Sequence, residues 1–284
     1  TYTRYPASMY APIGATFTSN NGSWSIHGRI LSFIEQENAG SLINLEVAYD
    51  DPINLNTGVP AMRIPTFLCP SEANDTVRTK NGAAYVYPHN YGFNFGTWHV
   101  WDPNTGRGGD GMFFPNARMT PGSVVDGLSN TLMLAEVKAY TPYGRNMTSE
   151  PPTTPPSTAA EVSALITIAP DKKMGAATND NTGHTEWPDG RVHHSGFTTT
   201  LPPNTPAPVV FNGLTFDADF NSRQEGSSAT IPTAAAITSR SYHNGGVVNV
   251  ALMDGSVRSI TKSIDLATWR ALGTRQGGEV AMVP

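Results

Sequence analysis

Residues 247–261, VVNVALMDGSVRSIT, are the stretch on which the fold reading turns. VVNVALM (247–253) and SVRSIT (256–261) are strand-prone runs, and Asp254-Gly255 between them suits the positive-φ turn that joins two twisted strands. The spacing predicts an antiparallel hairpin. Just downstream, Asp265 is placed to cap a short helix carrying Leu266, Trp269 and Leu272, and Gly273 sits where a helix-ending glycine belongs.

Composition extends that reading along the chain. Of 284 residues only 14% are charged, against about 25% in an average soluble protein. The 27 glycines and 23 prolines make up about 18% of the chain, against a usual ~12%. This is the profile of a turn-rich β protein and argues against a helical bundle or coiled coil. With 38% hydrophobic residues the chain can still form a core, so it does not read as disordered. A net charge of −5 without a Lys/Arg run removes the electrostatic footprint of nucleic-acid binding. No run approaches the ~20 apolar residues of a membrane span, and no signal peptide is present. The first residue is Thr1 rather than methionine, so the chain reads as a mature or trimmed product. The single cysteine, Cys69, allows no internal disulfide and excludes a multi-cysteine zinc cluster.

The first twenty residues read as extended surface chain. Trp24, Ile26, Ile30, Phe33 and Ile34 predict an amphipathic helix over 24–36. RIPTFLCPSE (63–72) predicts a short buried strand ended by Pro70. Between 81 and 115, Tyr85/Tyr87, Tyr91/Phe93/Phe95 and Trp98/Val100 alternate as strands do, and TLMLAEVKAY (131–140) predicts another. PPTTPPSTAA (151–160) marks a composition break inside a loop-rich insertion expected over about 146–235, before a hairpin-helix block at 236–284.

The densest group of metal-capable residues is GHTEWPDGRVHHSGF (183–197). If His184 and Glu186 share a strand face and His193-His194 follow a Pro-Asp-Gly turn, a hairpin brings two imidazoles and a carboxylate together as zinc-type ligands. The plainer reading is a hairpin whose histidines bond locally. Asn179-Asp180-Asn181 resembles half of a calcium loop, and Asp102 and Asp110 could join an irregular calcium site, which leaves calcium open as a cofactor. Each of these also reads as a turn in which Asn or Asp caps its own backbone. No nucleophile elbow or phosphate-binding glycine loop is present, and Cys69 reads as a packing residue.

The segment TSRSYHNGGVVNVALMDGSVRSITKSIDLATWRALGTRQGGEV (238–280) resembles the end of the bacterial type II secretion pseudopilin-like, prepilin-type family expanded in planctomycetes. The family's mark there is a histidine, about nine residues, then Asp-Gly, matched by His243, Asp254 and Gly255. GSWSIHGRILSFIEQ (22–36) is similar to its early helix and IPTFLCPSE (64–72), with Cys69, to its Cys-Pro-Ser strand. NYGFNFGTWHVWDPNTGRGGDGMFF (90–114), VVDGLSNTLMLAEVKAY (124–140) and GHTEWPDGRVHHSGFTTTLPPNT (183–205) resemble its middle blocks. The Asp-Gly-x-Ser-Asn element of these blocks is Asp126, Gly127, Ser129 and Asn130. Ten residues, rather than nine, separate His243 from Asp254, which predicts a bulge near Val247-Val248.

The resemblance implies a single α+β head, with an antiparallel sheet, few short helices and many long loops. The family's long N-terminal helix would lie upstream of Thr1, as would any cysteine that partners Cys69. It further implies export to the cell envelope or surface, a homo-oligomer or filament formed through that helix with other pseudopilin-like subunits, membrane contact only through it, and no enzymatic activity. The motif residues read as turn and register elements. The rival class is a secreted polysaccharide- or ligand-binding module that uses Trp98, Trp101, Tyr85 and Tyr87 as a stacking platform.

Overall fold

A computed structural model describes residues 3–18, 23–178 and 182–279. The described strands are short, six residues at most, because turn residues interrupt the chain so often. In chain order they begin with β1 (Arg78–Lys80), β2 (Ala83–Val86), β3 (Tyr91–Asn94), β4 (His99–Asp102) and β5 (Arg107–Gly108). Then come β6 (Leu132–Glu136), β7 (Tyr143–Arg145), β8 (Asp171–Lys173), β9 (Gly196–Phe197) and β10 (Pro208–Phe211). The last are β11 (Leu214–Asp217), β12 (Asp219–Asn221), β13 (Thr233–Ala236), β14 (Val247–Leu252) and β15 (Val257–Thr261). One sheet runs β15-β14-β6-β3-β9 and a second runs β5-β4-β13-β12-β7-β8, with β1-β2 and β10-β11 as separate hairpins. All pairings are antiparallel except β3 with β9 and β12 with β7. The fold is α+β, with sheets more mixed than the expected antiparallel one.

The C-terminal hairpin forms as its sequence dictates. Gly255 takes a φ of 84°, and Leu252 N–H bonds Ser256 C=O at 2.9 Å across a three-residue loop. Asp254 is exposed and caps the turn by accepting from Ser256 N–H at 2.8 Å. The bulge expected near Val247-Val248 is absent: β14 pairs with β15 unbroken from Val247↔Thr261 to Ala251↔Val257. The irregularity lies across the other edge, where Ala251 faces Leu134 but Leu252 faces Leu132, leaving Met133 of β6 as the extra residue. Gly245 and Gly246, both at positive φ, turn the chain just before β14 at far lower steric cost than a β-branched Val-Val pair could.

Two other expectations are corrected. The helix over 24–36 is instead α1 (Ile26–Arg29), capped by Ser25, followed by a 3-10 turn at Leu31–Phe33 and then α2 (Glu37–Gly40). Gly28 lies so close beneath Trp24, one helical turn away, that a Cβ there would come within 2.6 Å of the indole. RIPTFLCPSE forms no strand: Pro65 opens a 3-10 turn at Pro65–Phe67, since proline has no N–H to give to a ladder. Phe67, Leu68 and Cys69 are nonetheless buried.

The remaining helices are α3 (Pro52–Leu55), α4 (Ala159–Ile168), α5 (Val192–Ser195) and α6 (Leu266–Gly273). The stretch expected to be loop-rich thus contains α4, the longest described helix, and the second sheet's inner strands β12 and β13. Thr158 and Glu161 close a capping box on α4, each side chain accepting the other's backbone N–H. Asp265 caps α6 through Thr268 N–H at 3.0 Å. One core lies where α6 meets the five-stranded sheet: Trp269 and Leu272 pack with Val248, Val250, Leu252, Ile260 and Phe197.

Trp269→Ala should cost about 3–5 kcal/mol, because the surrounding sheet cannot collapse into the cavity. Val257→Ala, on the exposed face of β15, should stay within about 0.5 kcal/mol. Urea denaturation of the two variants measures both.

Candidate functional site

Three separate segments converge where the family-like blocks meet. Glu136 ends β6, and its Oε2 accepts the backbone N–H of Asn249 at 2.7 Å, which pins the carboxylate across the β6–β14 pair. Its Oε1 lies 2.8 Å from His243 Nε2 and 3.2 Å from Asn249 Nδ2. His243 reaches this point because the Gly245-Gly246 turn folds the chain back, with Ser241 Oγ accepting His243 N–H at 3.2 Å. Cys69 arrives from the other side. Its N–H is held by Asn90 Oδ1 at 3.0 Å, and its Sγ lies 3.0 Å from Ser71 Oγ and 3.7 Å from His243 Nε2. The Glu136 side chain is 4% exposed and that of His243 29%, so the group lies just beneath the surface. Cys69 is a free, buried thiol.

His184, Glu186 and His193 are buried but do not form the expected hairpin. His184 has a φ of 58°, and His193 and His194 lie on α5, so the two-strand geometry never arises. His184 Nε2 bonds Gly196 C=O at 2.8 Å; His193 Nδ1 lies 2.8 Å from Asn221 Nδ2, and its ring stacks on Tyr143. Among the described residues the carboxylate Glu186 instead groups with Asp189 and His194. His194 Nε2 stands 3.4 Å from Glu186 and 3.9 Å from Asp189. Arg191 pairs with Asp189 at 3.3 Å, and the Tyr49 hydroxyl donates to Glu186. The protein's own guanidinium and phenol therefore occupy this negative pocket. Asp180 lies outside the described residues.

Asp126 accepts from Gly277 N–H at 2.7 Å and Gly278 N–H at 2.9 Å, clasping the chain after α6. Gly127 has a φ of 100°, Asn130 donates to Asp126 C=O at 3.1 Å, and Ser129 is exposed at the turn. Asp102 caps its own turn through Asn104 N–H and Thr105 Oγ1, and Asp110 accepts from Thr97 N–H and Oγ1. The aromatic platform is a correction: Trp98, Trp101, Tyr85 and Tyr87 are all buried, as packing of their large apolar rings favours. Trp98 stacks on Phe220 within the core.

A family model described as a protein of unknown function, DUF1559, matches residues 1–267. The chain belongs to the DUF1559 family. That family is associated with planctomycete type II secretion pseudopilin-like proteins. No curated protein and no solved structure matches the chain.

In this DUF1559 chain, sequence reasoning misses Glu136 and Asn249 as site residues. The signal was present, since Glu136 is the one charge in LMLAEV, and an acidic residue in an apolar strand demands a partner. Five of the seven histidines, His27, His89, His184, His193 and His194, are buried. Burial, which disfavours the charged imidazolium, holds His89 down to about 3 and His184 down to about 4, and lowers the other three well below the usual value. Burial raises Asp219 to about 6 and Glu225 to about 7.

These shifts fix how stability responds to pH. As pH falls below the ordinary histidine value of ~6.5, the unfolded chain takes up protons that the folded chain refuses, and stability is lost. Asp219 and Glu225 act in the opposite sense: their contribution is full at low pH and lost as pH rises through about 6 and 7. Each histidine weighs up to about 1.4 kcal/mol per pH unit, and five outweigh two. The urea midpoint should therefore be clearly lower at pH 5 than at pH 7; an unchanged or higher midpoint would contradict the buried neutral histidines.

Proposed function

We propose that this chain is the exported globular head of a pilin- or pseudopilin-like subunit, a structural and interaction protein rather than an enzyme. It acts at the cell envelope or cell surface, in a fibre or a type II secretion-like assembly. Contact with the membrane and with other subunits runs through an apolar helix encoded upstream of Thr1. One observation carries the reading: the residues of the family-like blocks serve as fold-holding devices. Asp126 clasps the segment after α6, Gly127 and Gly255 shape turns, and His243 and Glu136 lock a loop onto the sheet. DUF1559 membership supports it. Among the described residues no helix is long and apolar enough to cross a membrane.

The test is to express the full-length precursor, tagged at its C-terminus, in its own host. The expected outcome is a leader cut at a prepilin-type site ahead of an apolar helix, with the tag in the envelope or in a sheared surface fraction. A precursor that starts without such a helix and stays in the cytosol would overturn the reading.

A further inference from the structure

The Cys69–Glu136–His243 group has a geometry that fold-holding alone does not demand. Its sulfur, carboxylate oxygen and imidazole nitrogen all lie within 4.8 Å of one another. The sulfur and the carboxylate face the same ring nitrogen, Nε2, at 3.7 and 2.8 Å. In a nucleophilic triad the acid and the nucleophile bond opposite nitrogens of the ring, so this is not one. Three donor atoms this close together can serve a single cation. We propose that Cys69, Glu136 and His243 form a binding site for a borderline divalent metal of the zinc type. The proposal stands independently of the pilin-like reading.

The donor set selects the metal. One thiolate and one imidazole disfavour calcium and magnesium, which take oxygen ligands, and suit zinc. Cys69 as thiolate and Glu136 as carboxylate supply two negative charges, which a divalent ion neutralises in a half-buried site. The donors are also held in place before the metal arrives. Glu136 Oε2 is fixed by Asn249 N–H while its Oε1 faces His243 Nε2 and Asn249 Nδ2, and Asn90 holds the Cys69 backbone while its own Nδ2 donates to Val137 C=O at 2.9 Å. A cavity of about 10 Å³ beside the group is lined by Cys69, Glu136 and Asn90, with Glu72 and Arg240 but without His243. Binding releases the thiol proton of Cys69 to solvent. The ion would tie together segments far apart in sequence in a chain with one cysteine.

The experiment titrates the reduced, metal-free 284-residue chain with Zn²⁺ by calorimetry and with Co²⁺ by absorbance. One equivalent should bind, and Co²⁺ should give a near-ultraviolet thiolate charge-transfer band that vanishes in Cys69→Ser. His243→Ala and Glu136→Gln should each weaken binding by at least tenfold, and Asn249→Ala, which only positions a ligand, by about 10- to 100-fold. In the unaltered protein Zn²⁺ should shield Cys69 from iodoacetamide in proportion to occupancy. This arm decides even where a variant fails to fold by circular dichroism. A Cys69 alkylation rate unaffected by saturating Zn²⁺, or a Co²⁺ band unchanged in folded His243→Ala and Glu136→Gln, would overturn the proposal.

Discussion

Buried amide side chains hold this fold together. With strands of six residues or fewer, much backbone enters the interior without a ladder partner, and each unpaired N–H or C=O would cost about 1–3 kcal/mol. Asn94 answers three such groups at once: it donates to Leu132 C=O and Gly273 C=O and accepts from Gly96 N–H, joining β6, α6 and a turn. Asn90 accepts from Cys69 N–H and donates to Val137 C=O. Asn54 does the same for Asn44 and Ala48. The site residues follow this logic, since Glu136 also supplies a backbone partner that the sheet lacks at Asn249.

What was legible in the sequence was what local chemistry decides. Asp254-Gly255 and the Asp265 cap carry their own geometry, and both form as expected. The alternation through Tyr91–Asn94 and His99–Asp102 also forms as strands. The capping box at Thr158 and Glu161 was readable too, but the neighbouring prolines masked it. Residues 24–36 and 63–72 are misread from hydrophobic spacing alone, since that spacing registers neither the Trp24–Gly28 contact nor the missing N–H of Pro65.

The candidate site was half legible. His243 and Cys69 stood out through the block resemblance, but their meeting depends on a fold that brings together positions 69, 136 and 243. The cluster 183–197 stands out for its histidines, yet burial keeps those imidazoles neutral and the group bonds internally, with Arg191 and Tyr49 partnering its carboxylates.

The scarcity of charge also acquires a location. The outer strand β15 carries exposed Arg258, the opposite sheet ends at β8 with Asp171, Lys172 and Lys173, and its other end, β5, carries exposed Arg107. These few charges lie along rims where unpaired backbone would otherwise invite a second copy to add a strand. Crowded copies of this molecule would have to bury guanidinium or ammonium groups to zip together edge to edge.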